Sequence, residues 1–219
     1  MTNRKLTKTY YFSVEGETEQ WYLYWLKDKI NESKEATHKV HIDCKIEKDP
    51  IKRIKGLTVT QKVEIYHICD YESEDDEHVK QFISIMDKMK KAMSLGKNIK
   101  YKFGYSNFTF DLWIALHRID CFSSQTHRAD YLTLINKAFN EKFEKMDDYK
   151  KESNFKNCLK NLNISDVKRA IKRSEQIMIN NKNFGYVDVT YKGFSYYKEN
   201  PSLSVFEPIK NMLKDCKLM

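Results

Sequence analysis

The chain lacks a CxxC pair, and its five cysteines, Cys44, Cys69, Cys121, Cys158 and Cys216, are odd in number and far apart. That pattern excludes a disulfide framework and a cysteine-built zinc site, and it fits a reducing cytoplasm. No stretch approaches the roughly 18 uninterrupted apolar residues of a spanning helix. Even FTFDLWIALH is broken by Asp111. The basic start MTNRKLTK leads directly into YYFSV, without the apolar segment and small-residue cleavage site of a secretion signal. A soluble, cytoplasmic protein without a membrane partner is expected. Glycine and proline are scarce, at 6 and 3 of 219 residues, and there is neither an internal repeat nor a long flexible linker.

What is present is a hydrophobic fraction of 41%, enough to bury a core without staples, and a formal charge of +8. The charge favours an acidic partner, and together with many Tyr, Phe and Lys residues it permits nucleic acid. It does not select one, because nucleotide bias in a genome produces the same lysine-rich, glycine-poor composition.

Residues 9–14 (TYYFSV), 40–46 (VHIDCKI), 62–69 (KVEIYHIC) and 99–106 (IKYKFGYS) read as strands. Between them lie helical patterns. EGETEQWYLYWLKDKI places Trp21, Tyr22, Trp25 and Leu26 on one face, and Ser73-Glu74-Asp75-Asp76 is a capping-box pattern ahead of a helix carrying Val79, Phe82, Ile83, Met86 and Met89, with Gly96 as its stop. The alternation predicts an α/β protein with a mostly parallel sheet flanked by helices, ligands gathering beyond the strands' carboxyl ends. From Arg128 the pattern is mainly helical, over 128–146 and about 154–160, 165–182 and 203–216, interrupted by the β-prone FGYVDVTYKGFSYY. The organisation expected is a core over 1–120 and a helical C-terminal part over 121–219 packed on it as one unit.

Carboxylates stand at two strand ends: Glu15 before Gly16, and Asp70 with Glu72 after Ile68-Cys69. Glu17 and Glu19 are accounted for by the helix dipole, and Asp75, Asp76 and Glu77 by a first helical turn. Asp70 differs, because a sheet fixes the backbone that carries it. Taken singly, each acid has a structural explanation; as a spaced set they form an oxygen-ligand cluster suited to Mg²⁺ or Mn²⁺. His117, in an apolar helix, is the pattern of a hydrogen-bonded core histidine and is carried only as a site-edge residue. Lys168, Arg169, Lys172 and Arg173 form a basic helix face opposite Ile164, Val167, Ile171 and Met178, either plainly solvated or holding phosphates. Ser106 and Asn107 are candidates for a phosphate contact or, equally, for a helix N-cap.

The order strand-VEGxTE, strand-D-x-[D/E] resembles the Toprim domain of topoisomerases, primases and OLD-type nucleases. With YSNFTFDLWIALH, Tyr149-Lys150, the run 167–173 and Asn200-Pro201-Ser202-Leu203-Ser204-Val205, nearly the whole chain resembles the RloB family, which includes the abortive-infection protein AbiLii and is encoded beside ATPases in phage-defence loci. The resemblance implies a Toprim-like sheet and a metal-dependent nuclease acting on DNA or RNA, transfer RNA included, with an ATPase partner. Glu15, Glu19 and Asp70 would be catalytic, and Glu15, Asp70 and Glu72 would hold the metal. Glu72 stands where the family usually has aspartate, and Asp111, a second site-edge candidate, where it has glutamate. The alternative expectation is a catalytically silent module of the same shape that regulates an ATPase.

Overall fold

The computed structural model describes residues 5–96 and 98–219. Apolar alternation builds four parallel strands, β1 (Thr7–Val14), β2 (Lys39–Ile46), β3 (Val63–Tyr71) and β4 (Ile99–Asn107). They are linked by α1 (Glu17–Glu32), α2 (Pro50–Lys55) and α3 (Asp76–Met93). The spatial order is β2-β1-β3-β4, with a two-residue strand near the C-terminus, Ser202–Leu203, pairing antiparallel to β4. The expected α/β architecture is therefore what the chain adopts. The first crossover leads from β1 outward to β2, and the second returns past β1 to β3. A crevice opens where the strand order reverses, at the carboxyl ends of β1 and β3.

Side chains of successive strand residues point to opposite faces, so each strand feeds two cores. On one face Tyr10, Phe12, Val14 and Ile68 pack with Tyr22, Leu23, Leu26 and Ile30 of α1. On the other, Ile65, Cys69 and Tyr71 pack with Phe82, Met86 and Met89 of α3. The α1 core face is thus Tyr22, Leu23, Leu26 and Ile30, whereas Trp21 and Trp25, expected on the same face, are only partly buried and border a surface groove. The α3 cap is Asp75, whose carboxylate accepts from the Glu77 and His78 amides, rather than Ser73. The short helix α2 carries its own signal, an Asp49 cap with Pro50 in the first turn, which the strand-centred pattern passed over.

Beyond β4 the apolar run forms only the short α4 (Asp111–Ala115). Then follow α5 (Tyr131–Phe139), α6 (Met146–Tyr149), α7 (Glu152–Lys160), α8 (Ile164–Asn183), a hairpin of β5 (Val189–Tyr191) and β6 (Phe194–Tyr196), the strand β7 (Ser202–Leu203), and α9 (Phe206–Asp215). The expected helix over 128–146 is instead a 3₁₀ turn at Arg128–Asp130 followed by α5 and α6, because Asn140 at φ 55 ends α5 in a left-handed cap. The C-terminal part shares the first core through Tyr131, Tyr149, Phe155, Val167, Ile171 and Leu213, and β7 completes the sheet edge. All five cysteines are free and buried, and among the described residues no helix is long and apolar enough to cross a membrane.

Candidate functional site

Glu15 follows the last residue of β1, and Asp70 sits near the end of β3, the two strands that flank the crevice. The Asp70 amide donates to Glu15 Oε2 at 3.5 Å. Glu19, in the first turn of α1, and Asp111, the first residue of α4, bring two more carboxylates to the same cleft of about 330 Å³, which Lys48, Arg128 and Lys150 also line. Side-chain oxygens in this set are unevenly satisfied. Thr18 Oγ1 donates to Glu19 Oε2 at 3.0 Å, Thr109 Oγ1 to Asp111 Oδ2 at 3.0 Å, and Lys150 Nζ lies 3.4 Å from that same Oδ2. Asp70 Oδ1 is buried without a hydrogen-bond partner.

Burial and mutual repulsion load this cluster electrostatically. Burial, with Glu19 and Glu72 adding to it against the Lys48 ammonium, pushes Glu15 up to about 7. Asp70 is raised well above the usual carboxylate range, first by burial and then by the charges of Glu19, Glu15 and Asp111. Glu19 is raised by burial too, with Asp111 adding and Thr18 and Lys150 opposing. Lys150, which burial alone would depress, is raised by Asp111, Asp70 and Glu19. Such a cluster is short of positive charge, and it holds protons, or binds a cation, to make up the deficit.

Mg²⁺ or Mn²⁺ fits that donor set in kind: hard carboxylate oxygens, two of them, Asp70 Oδ1 and Asp111 Oδ1, buried without a hydrogen-bond partner. Among the described residues, no three His, Cys, Asp or Glu groups already form a finished coordination set. Lys150 instead stands against Asp111, and Glu72 is drawn outward to Arg128 Nη1 at 2.9 Å and His78 Nε2 at 3.4 Å. Of the acids expected at a metal, Glu15, Asp70 and Glu72 line one cleft, with Glu72 at its rim and ion-paired. Asp111, expected only at the edge, lies inside it.

The other candidates lie elsewhere. Ser106 and Asn107 are fully buried in β4, paired in register with Asp70 and Tyr71 on one side and with Leu203 and Ser202 on the other. Neither caps α4, whose N-cap is Phe110. His117 is buried among Tyr22, Trp25 and Trp113, its Nδ1 2.9 Å from the Trp113 carbonyl and its Nε2 3.1 Å from the Tyr22 hydroxyl. Burial lowers it to about 4, which makes it a neutral core histidine. On α8, Arg169 pairs with Asp166, and Arg173 bonds Asp120 at 2.6 Å and the Leu116 carbonyl at 2.8 Å. Lys168 and Lys172 have no ion pair among the described residues, and none of the four lines the carboxylate cleft.

Sequence reasoning missed Lys150, Lys48, Arg128 and Thr109 as site residues. Lys150 had a signal, since it follows the buried Tyr149 in a short, acid-flanked turn. Lys48 and Thr109 arrive from loops and Arg128 from the 3₁₀ turn, with no local mark of a site. Gly16 stands between Glu15 and the first turn of α1. Its backbone is extended, at φ −147, and a Cβ there would lie 3.1 Å from Glu19 Oε2. Gly16→Ala should therefore cost little stability, under about 1 kcal/mol, while displacing the Glu19 carboxylate and weakening Mn²⁺ affinity on the order of tenfold. Unchanged Mn²⁺ affinity by calorimetry would remove Glu19 from the site.

No curated protein and no solved structure matches the chain significantly. The family model described as RloB-like protein matches residues 10–212, a span that runs from β1 through the cleft to α9. The chain is a member of the RloB-like protein family.

Proposed function

We propose that this protein is a metal-dependent, Toprim-type nuclease that hydrolyses phosphodiester bonds of DNA or RNA, transfer RNA included, in antiphage defence alongside an ATPase partner. The observation that carries this reading is the meeting of Glu15, Glu19, Asp70 and Asp111 at the strand-order reversal, with Asp70 Oδ1 unpartnered. Glu15, Asp70 and, once freed from Arg128, Glu72 are the residues that would hold Mg²⁺ or Mn²⁺. When bound, such an ion supplies a Lewis acid for the phosphoryl oxygen and lowers the pKa of water. Without an ion Glu15 is held up near 7, so a cation taken up there would displace a proton near neutrality. Lys48, Lys150 and Arg128 give the acidic cleft a cationic rim for the substrate phosphate.

The test pairs Mn²⁺ calorimetry with cleavage of single-stranded DNA, duplex DNA and transfer RNA, with and without the neighbouring ATPase. Metal-dependent cleavage is expected from the wild type. Absence of metal binding together with absence of cleavage would favour a second reading, a catalytically silent module. One observation supports that reading: the Lys150 ammonium already offsets Asp111 without a metal.

A pH signature distinguishes a loaded cluster from an ordinary surface. Glu15 has a folded-state value near 7 against an ordinary 4.5, so the folded protein keeps a proton that the unfolded chain releases. Stability contributed by this group is present below about 4.5 and falls as pH rises to about 7, by on the order of 2 kcal/mol. Asp70 and Glu19 shift in the same direction. Thermal melts in EDTA should therefore show lower stability near pH 8 than near pH 5, and Mn²⁺ should flatten that difference. Equal melting temperatures across the window would mean the carboxylates are solvated independently.

A further inference from the structure

We propose that the groove between α1 and α7 binds an unpaired nucleic-acid strand by stacking its bases on Trp21 and Trp25, leading the backbone of that strand into the carboxylate cleft. The last clause rests on the nuclease reading; the stacking site does not. The groove, about 570 Å³, is lined on the α1 side by Trp21, Tyr24 and Trp25 and on the α7 side by Lys156 and Lys160. The three aromatic side chains are partly buried and the two lysines are exposed. Trp21 packs at a tilt against buried Phe155, ring centroids 5.9 Å apart, and Lys156 Nζ stands 5.9 Å from the centre of the Trp21 ring. Aromatic platforms beside ammonium groups are the chemistry that grips single strands without reading sequence, each base offering a π face and each phosphate a charge.

Charge complementarity favours a polyanion over an apolar protein segment. Lys160 has no ion pair among the described residues, whereas Lys29 is shared with Glu32 at 3.3 Å and Lys156 with Glu152. Asp28 is the acid that also lines the groove, and it leans to Lys27 at 3.2 Å.

Position points the same way. The same two stretches of chain border groove and cleft: along α1, Glu17, Thr18 and Glu19 line the cleft and Trp21 the groove, and towards α7, Lys150 lines the cleft and Ser153 and Lys156 the groove. Trp21 lies about 3 Å further along the helix axis than Glu19, and Trp25 about 6 Å beyond that, a step comparable with one extended nucleotide. A duplex keeps its base faces against one another and has none to offer Trp21, so the site selects an unpaired strand.

The experiment titrates the full chain in EDTA, where no cleavage occurs, with a short oligothymidylate, an oligouridylate and a duplex of matching length. Tryptophan emission and anisotropy are read on the same samples. Trp113 is fully buried, so quenching reports Trp21 and Trp25. Either single strand should quench emission and bind more tightly than the duplex. Trp21→Leu should weaken binding on the order of tenfold, and Lys160→Glu, on an exposed position that does not endanger folding, should weaken it and reduce its salt slope. Duplex preference, unquenched emission, or affinity unchanged in both variants would overturn the proposal, as would burial of the tryptophans by a second copy or by the ATPase with no oligonucleotide bound. Mn²⁺ calorimetry on the same protein separates the two readings: metal bound without oligonucleotide binding sinks the groove alone, and oligonucleotide bound without metal sinks the nuclease reading alone.

Discussion

Asp70→Asn is expected to remove Mn²⁺ binding and lower cleavage by roughly 100-fold or more, an effect at least as large as those seen when groups merely supporting a metal ligand are lost. The change keeps the side-chain size and removes the charge that a hard cation requires. It breaks no hydrogen bond of the Asp70 Oδ1 oxygen, which has none, and it places an amide donor among the Glu15, Glu19 and Asp111 carboxylates that repel the native aspartate. The metal-free variant should therefore be more stable than wild type at neutral pH, by on the order of 1 kcal/mol. Melting curves in EDTA, Mn²⁺ calorimetry and cleavage assays check the three parts. Wild-type cleavage by this variant would place the chemistry at another site, and a lower melting temperature would show that Asp70 earns its place by structural contacts.

The second large effect concerns the cation inside the acidic cleft. Lys150→Met should destabilise the metal-free protein by about 2 kcal/mol, because it strands Asp111, whose side chain is 1% exposed, beside the charges of Glu19 and Asp70. Since Lys150 is itself 42% exposed, that figure sits below the cost of breaking a fully buried pair. Adding Mn²⁺ should recover the loss, a dication taking over the charge balance, and combining Lys150→Met with Asp70→Asn should cost less than the sum of the separate changes. Additive melting shifts, or a Lys150→Met protein indifferent to Mn²⁺, would show that the ammonium is not the counter-ion of the cluster.

The main frame was readable because strand and helix periods differ and the chain keeps them apart. KVEIYHIC and TYYFSV read as strands, and Glu15 and Asp70 could be placed at strand ends from that alone. What was not readable depends on contacts distant in sequence. The fragmentation of the expected 128–146 helix turns on a left-handed Asn140 that no periodicity reveals. Ser106 and Asn107 seemed free to meet a phosphate until Ser202 and Leu203, nearly a hundred residues later, covered them. Glu72 is set at the rim by Arg128, and half of the apparent basic stripe on α8 is spent on Asp166 and Asp120, partners that a helical wheel does not display. Asp111 and Lys150 meet only because the residue that follows α6 is brought to the first residue of α4, a long-range event invisible in either segment.

The place of β7 also bears on how the protein is made. Glu15, Glu19, Asp70 and Asp111 are all synthesised by residue 111, the lysine that pairs with Asp111 follows at 150, and the two residues that pair with Ser106 and Asn107 of β4 come only at 202–203. A nascent chain thus carries an acidic cluster without its Lys150 partner until residue 150 is made, and unpaired backbone groups at the end of β4 until residues 202–203 follow. Pairing at that end of β4 therefore waits for residues 202–203, well after Lys150 can reach Asp111.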